Sequence, residues 1–225
     1  MEVIINNKQR KGKKMPRQRI IPFQSSPAHS QRIVIEQILN GFIKRLDYLT
    51  DNHAQVSVCH LTLNLPPIEG IAGSRVVGAC LTSLRRKLKR MGIESQAGWV
   101  REFSGNEHFH VGFLWDSSEI QSAVRIGNML NEIITDTLGL PAHHQYVNVN
   151  PPNPILDRQL KLNVRSNKTV KIRREYPGFQ EQRSNIINWL SYLAKVKTKG
   201  SYEEHYVREY GFSLCRKEQK NAAQR

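Results

Sequence analysis

Acidic residues are scarce in this chain. Asp and Glu number 19 against 34 Lys and Arg, leaving a formal net charge of +15 in 225 residues. That imbalance argues against an acidic small molecule as partner and points to a polyanion, because a surface dense in cations concentrates phosphate. Long apolar runs are missing as well. No stretch of about 18 apolar residues occurs, so no membrane-spanning helix and no membrane partner are expected. The first fourteen residues lack the apolar core of about 7–15 residues that a secretory signal needs. Cysteine is limited to Cys59, Cys80 and Cys215, with no C-x-x-C pair, which excludes a disulfide framework and a cysteine zinc site. The expected location is therefore a reducing compartment, most simply the cytoplasm of a cell or of the host of a mobile element. A G-x-x-x-x-G-K-[ST] phosphate loop is also absent, so unwinding of a duplex would fall to a partner helicase.

What is present reads as one domain with basic and polar ends. From Lys8 to Arg19 there are seven basic residues and almost nothing apolar, so residues 1–25 are expected to form a basic arm unable to fold alone. Residues 26–200 carry the periodic patterns, and residues 201–225 are expected to be a polar tail. Ser30 to Leu49 has apolar residues at helical spacing, whereas Gln55 to Leu65 alternates with period two. Ser74 to Met91 is the next expected helix, closed by Gly92. Gln96 to Phe103 and His108 to Trp115 read as two strands joined by Ser104-Gly105-Asn106, which is hairpin chemistry. A helix from about Glu119 to Leu138 follows the Asp116-Ser117-Ser118 cluster. Gln145 to Asn150 and Gln159 to Val164 read as strands, and Gln180 to Lys197 as the last helix. The sum predicts an α+β fold, a central antiparallel sheet of about four or five strands with helices packed on it.

The hairpin carries the most chemistry. His108 and His110 stand two apart on a strand, so both imidazoles leave one face, with Cα atoms about 7 Å apart. With a three-residue loop, Phe103 pairs with Glu107 and Glu102 lies opposite His108 on the same face, while Glu107 points to the other. Glu102, His108 and His110 then form a mixed oxygen and nitrogen set with open positions. Such a set suits Mg²⁺ or Mn²⁺ shared with a phosphate, or Zn²⁺. On the last helix, Ile186, Ile187, Leu190, Leu193 and Ala194 form the apolar stripe. Tyr192 falls on the polar side with Asn188 and Ser191, and Lys195 is one turn on. A phenolate is a competent nucleophile toward phosphorus, and an adjacent ammonium can steady it or the phosphate it attacks. In the strand Cys59 to Leu65, Leu61, Leu63 and Leu65 point one way and His60, Thr62 and Asn64 the other. His143-His144 is expected to diverge to opposite faces of a strand and so not to form one metal site.

The order of these segments, a Leu-Thr-Leu strand, then His108-Phe109-His110 on a hairpin, then Tyr192-Leu193-Ala194-Lys195, resembles the three motifs of the HUH endonucleases. Within them, Trp99-Val100-Arg101-Glu102, His108-Phe109-His110-Val111 and Ser191-Tyr192-Leu193-Ala194-Lys195 are most similar to the filamentous-phage replication-protein relatives of bacterial genomes, the YagK/YfjJ-like family. The resemblance spans roughly residues 30–200. It implies a rolling-circle replication initiator that nicks single-stranded DNA at an origin or origin hairpin, with a host helicase and polymerase as partners. His108 and His110 would bind Mg²⁺ or Mn²⁺, Tyr192 would attack to give a 5′-phosphotyrosine and a free 3′-OH, and Lys195 would assist. Only one tyrosine fits the motif, so a single nucleophile is implied. An HUH transposase or relaxase is the alternative within the class.

The basic clusters fit such a role. Arg85, Arg86, Lys87, Lys89 and Arg90 crowd one helix end, and Arg158, Lys161, Arg165, Lys168, Lys171, Arg173 and Arg174 surround an expected loop at 166–168. These would contact phosphate and position a strand without reading its bases. Two other classes remain. A non-enzymatic nucleic-acid-binding regulator would use the same cations and leave Tyr192 idle. A two-histidine phosphoesterase needs two H-x-T tripeptides, and only His60-Leu61-Thr62 is present.

Overall fold

The computed structural model describes residues 19–24, 31–67, 72–104, 106–150, 168–195 and 210–215. Its centre is an antiparallel sheet whose middle strands are β3 (Gln55–Leu63), β4 (Ser95–Ser104) and β5 (Asn106–Asp116). β5 lies between β3 and β4, and the outer edge of β3 is shared by two short strands. β6 (Val147–Asn150) pairs with residues 60–63 of β3, and β7 (Val170–Arg173) with residues 55–58. β8 (Tyr210–Phe212) pairs with Gly98–Val100 of β4 and completes a sheet of six strands. A separate ribbon, β1 (Ile20–Gln24) with β2 (Gln31–Ile35), leads into α1 (Glu36–Asn52).

Each face of the sheet has its own pair of helices. α2 (Gly73–Arg90) and α3 (Ala123–Leu138) cover one face, where Leu61, Leu63, Phe109, Phe113 and Trp115 meet Val77, Leu84, Ile126 and Leu130. Burying each such side chain is worth about 1.5–3 kcal/mol, so this face supplies much of the stability. α1 and α4 (Phe179–Ser191) cover the other face, where Phe42, Leu46, Val58, Leu114, Ile186 and Leu190 pack together. Here Gly98 and Gly112 lie directly opposite one another. A Cβ on either would come within 2.7 or 2.5 Å of Phe42 Cε1, so the two glycines make the flat place that lets the Phe42 ring reach the strands.

The α+β class and the antiparallel sheet are as the sequence predicts, and several element limits differ. Residues 31–35 are strand, and the helix starts only at Glu36, because Ile33-Val34-Ile35 continues the ribbon and the Glu36 amide bonds Arg19 O at 2.9 Å. β1 lies within the expected arm and β8 within the expected tail. α3 begins at Ala123 because Asp116 closes a turn onto the Ser118 amide and hydroxyl. It ends at Gly139 in the left-handed conformation, φ 61°, as a glycine stop should. The last helix stops at Ser191 and tightens into a 3₁₀ turn over Tyr192–Ala194, well short of Lys197. The expected strand at 159–164 lies outside the described residues.

Candidate metal and tyrosine site

The β4–β5 hairpin has the register read from its sequence: Glu102 opposes His108 and Phe103 opposes Glu107. Strand alternation therefore puts Glu102, His108 and His110 on the α1–α4 face, at the hairpin end beyond Gly112. Glu107 is on the other face, in an ion pair with the buried Arg101. Glu102 is buried, with one carboxylate oxygen 3.3 Å from His110 Nε2 and 4.0 Å from His108 Nε2. One ligand atom from each of the three residues lies within 4.8 Å of the other two. Donors about 2.1 Å from a shared ion stand roughly 3–4 Å from one another, so this group could hold a metal ion. The side chains of His108 and His110 keep 14% and 12% of their surface exposed, leaving a narrow approach from solvent.

β3 supports the group from beside it. Thr62 opposes His110 across the β3–β5 ladder, and His60 opposes Gly112, so both side chains share the face of the histidine pair. His110 Nδ1 is 3.0 Å from His60 Nε2 and 3.1 Å from Thr62 Oγ1. Asn150 Nδ2 on β6 donates to Thr62 Oγ1 at 2.6 Å. If Nε2 ligates, the proton of His110 sits on Nδ1, where Thr62 and His60 stand ready to accept it. Such outer contacts fix the tautomer and the ring plane. Sequence reasoning leaves Thr62, Asn150 and His60 out of the site, His60 being the one in ring contact with His110. Its position on the polar face of β3 is visible in the alternation, but its contact with His110 depends on which strand lies next to β3.

Tyr192 joins the group from the last helix. α4 is held to α1 by Arg183, whose Nε and Nη2 donate to the two oxygens of Asp47 at 2.7 and 2.8 Å. Those bonds raise the guanidinium above its ordinary value. At the end of α4, Ser191 Oγ donates to Asn188 O at 2.6 Å, a local bond that bends helices. Leu193 and Ala194 remain buried in the tighter turn that follows, and Lys195 bridges to Val34 of β2. Tyr192 is thereby turned outward, 38% exposed, with its ring centroid 6.2 Å from that of His60 and 6.4 Å from that of His110. Lys195 Nζ lies 5.7 Å from the ring centroid, so the pair read from the sequence stays together although the backbone there is not α-helical. Asn188 and Ser191, expected beside Tyr192 on a polar side, are buried.

The basic residues are less uniform than their clustering in sequence suggests. Arg86, Lys89 and Arg90 are exposed, and Arg85 is half-buried with Nε donating to Ser95 O at 2.9 Å. Burial pulls the Arg85 guanidinium below its ordinary value. Lys87 instead turns to α3 and pairs with Glu132. Lys171 does not fit a phosphate contact: it is buried, and its Nζ donates to Gln121 Oε1 at 2.8 Å. Arg173 and Arg174 are exposed, but β7 pairs with the end of β3 opposite to Thr62, so they lie far along the sheet from His110. Lys168 Nζ donates to Val149 O at 3.0 Å. Arg158, Lys161 and Arg165 lie outside the described residues. His143 and His144 occupy an exposed turn, not a strand, and their ring centroids are 4.4 Å apart.

No family model matches the chain, and neither a curated protein nor a solved structure matches it with significance.

Proposed function

We propose that this protein cleaves single-stranded DNA by attack of Tyr192 on a backbone phosphate, beside a divalent cation held by Glu102, His108 and His110. The observation that carries the reading is the placement of an exposed tyrosine against a buried carboxylate and two imidazoles. Mg²⁺ or Mn²⁺ fits the mixed donor set, and when bound it supplies positive charge to a non-bridging oxygen of the scissile phosphate. The chain's own residues do the remaining work. Thr62 and His60 hold the His110 ring, and Asn150 holds Thr62. The turn anchored by Leu193 presents the phenol, and the Lys195 ammonium, 5.7 Å from its ring centroid, stands where it can meet the charge of the phosphate under attack. The new bond joins Tyr192 Oη to phosphorus. The P–O3′ bond breaks, the phenol proton leaves to solvent, and the departing 3′ oxygen takes one up. The phosphotyrosine conserves the energy of the broken bond, so the same centre can rejoin strands, as a rolling-circle initiator requires.

The test is to incubate the full chain and Mn²⁺ or Mg²⁺ with a random pool of end-labelled single-stranded oligonucleotides, followed by denaturing electrophoresis. A 3′-labelled piece bound covalently to protein is expected, together with a shortened 5′-labelled piece ending in a 3′-OH. Tyr192→Phe should abolish both while leaving the thermal midpoint unchanged. An adduct persisting in Tyr192→Phe, or cleavage surviving excess EDTA, overturns the assignment. Tight binding with no cleavage would favour the regulator.

A further inference from the structure

A groove runs along the opposite face of the sheet edge, between α2 and the β4–β8 pair. It consists of two adjoining cells of about 520 and 490 Å³ that share Thr82 and Arg85. Arg75 lines the first cell, and Arg86 and Lys89 line the second. Arg75, Thr82, Arg86 and Lys89 follow one another at intervals of seven, four and three residues, so they lie on one face of the helix, about 21 Å long from Arg75 to Lys89. Among the described residues, no carboxylate forms an ion pair with Arg75, Arg85, Arg86 or Lys89, whereas Lys87 on the neighbouring face is paired with Glu132. Glu94, the acid in the second cell, is bonded to Tyr48 Oη at 2.7 Å and to His53 at 2.9 Å, and its charge also reaches Arg85, leaving Arg75, Arg86 and Lys89 as the cations of the stripe without an acid partner among the described residues. Leu214, 50% exposed, adds an apolar wall beside Tyr48 in the same cell.

We propose that this groove is a track for single-stranded DNA, with Arg75 at one end and Arg85, Arg86 and Lys89 at the other holding its phosphates. The inference rests on the reading that the chain acts on single strands. The chain's own basic segments are poor occupants: residues 8–19 carry seven cations and no acid, and residues 216–225 carry Arg216, Lys217, Lys220 and Arg225 against Glu218 alone. The length of the stripe accommodates about three to six phosphates. Cells of this size receive groups as large as an unstacked nucleotide, whereas a paired duplex keeps its bases stacked inside and reaches only the rim. The groove also leads toward the chemistry. Its Arg75 end adjoins Gly73, where a Cβ would touch Glu107 and Phe109 of the hairpin. Trp99 in the first cell is three residues before Glu102 on the same strand, about 10 Å away. A strand leaving the groove over the hairpin end therefore arrives at His108 and His110 within a few nucleotides.

Binding of a fluorescein-labelled random 20-nucleotide single strand, followed by anisotropy in EDTA, tests the track without relying on cleavage. R75S/R86S/K89S is compared with R19S/K44S/R125S, which removes the same charge from exposed residues outside the groove and outside the two basic clusters read from the sequence. The groove variant should bind at least about tenfold more weakly at 50 mM salt. The slope of log K against log salt should fall by about 2, near 0.7 per lost phosphate contact. The control variant should stay within about threefold of the parent, and a duplex of the same length should bind more weakly than the single strand. Equal losses in the two variants, or a duplex bound as tightly as the single strand, overturn the track. The two readings separate cleanly. Groove-dependent binding without nicking leaves the track standing and removes the Tyr192 chemistry. Tyr192-dependent nicking with an unaffected groove variant removes the track alone.

Discussion

On one side of β5, Phe109, Val111, Phe113 and Trp115 are all fully buried under α2 and α3. On the other side the same strand places Leu114 in the core, Gly112 beneath Phe42, and His110 and His108 at the uncovered end. The two surfaces come from alternate residues of one strand, so what separates them is the reach of the covering elements. α2 and α3 seal their face to the hairpin end. On the other face the last covering element is the turn at Tyr192–Ala194, which buries Leu193 and Ala194 and turns Tyr192 toward the imidazoles. Both faces thus carry an apolar core, and the polar groups with chemical potential are concentrated at the uncovered end of the α1–α4 face.

That division can be broken from either side. The largest effect is expected from Phe113→Ala on the sealed face, which should lower unfolding free energy by about 3–5 kcal/mol in urea titrations, through lost burial and a residual cavity. Its metal affinity below the transition should be unchanged. Glu102→Gln should do the reverse. Losing the carboxylate donor should weaken Mn²⁺ binding by at least about 100-fold in calorimetry and abolish the metal-dependent rise in thermal midpoint, while the midpoint in EDTA moves less than in Phe113→Ala. A smaller effect sharpens the comparison. His60→Ala should weaken Mn²⁺ binding about tenfold by loosening the His110 ring, and His60→Gln, which keeps a polar partner for Nδ1, should recover part of it. If His60→Ala lowered stability as much as Phe113→Ala without changing metal affinity, His60 would belong to the core and not to the site.

The hairpin register was legible because period-two alternation and Ser104-Gly105-Asn106 fix which residues oppose each other, and this placed Glu102 beside His108. The pairing of Thr62 with His110 was not legible, since strand order across a sheet is set by long-range contacts that leave no local mark. The end of α4 escaped for a different reason. Leu193 and Ala194 continue the helical apolar spacing, and the narrowing to a 3₁₀ turn is a matter of the Ser191 hydroxyl donating to Asn188 O and the Lys195 amide to Tyr192 O. Residues 31–35 satisfy a helical stripe and a strand equally well, and only the β-branched run Ile33-Val34-Ile35 favours the strand. β8 is three residues long, too short for any periodicity to show.

The pairing of β8 with Gly98–Val100 also sets an order of events during synthesis. The Phe212 ring meets Phe42 at 5.1 Å between centroids, and Arg45 Nη2 donates to Ser213 O at 2.6 Å, a contact 168 residues apart in sequence. β4 leaves the ribosome roughly a hundred residues before β8, a delay of about 5–20 s at ordinary elongation rates. Throughout that interval the backbone of Gly98–Val100 lacks the strand that will pair with it. A nascent chain halted before residue 210 would carry that open edge, a template for pairing with a second nascent chain. Closure of the sheet, and with it the wall of the groove formed by Gly211, Phe212 and Ser213, therefore waits on the synthesis of residues 210–213.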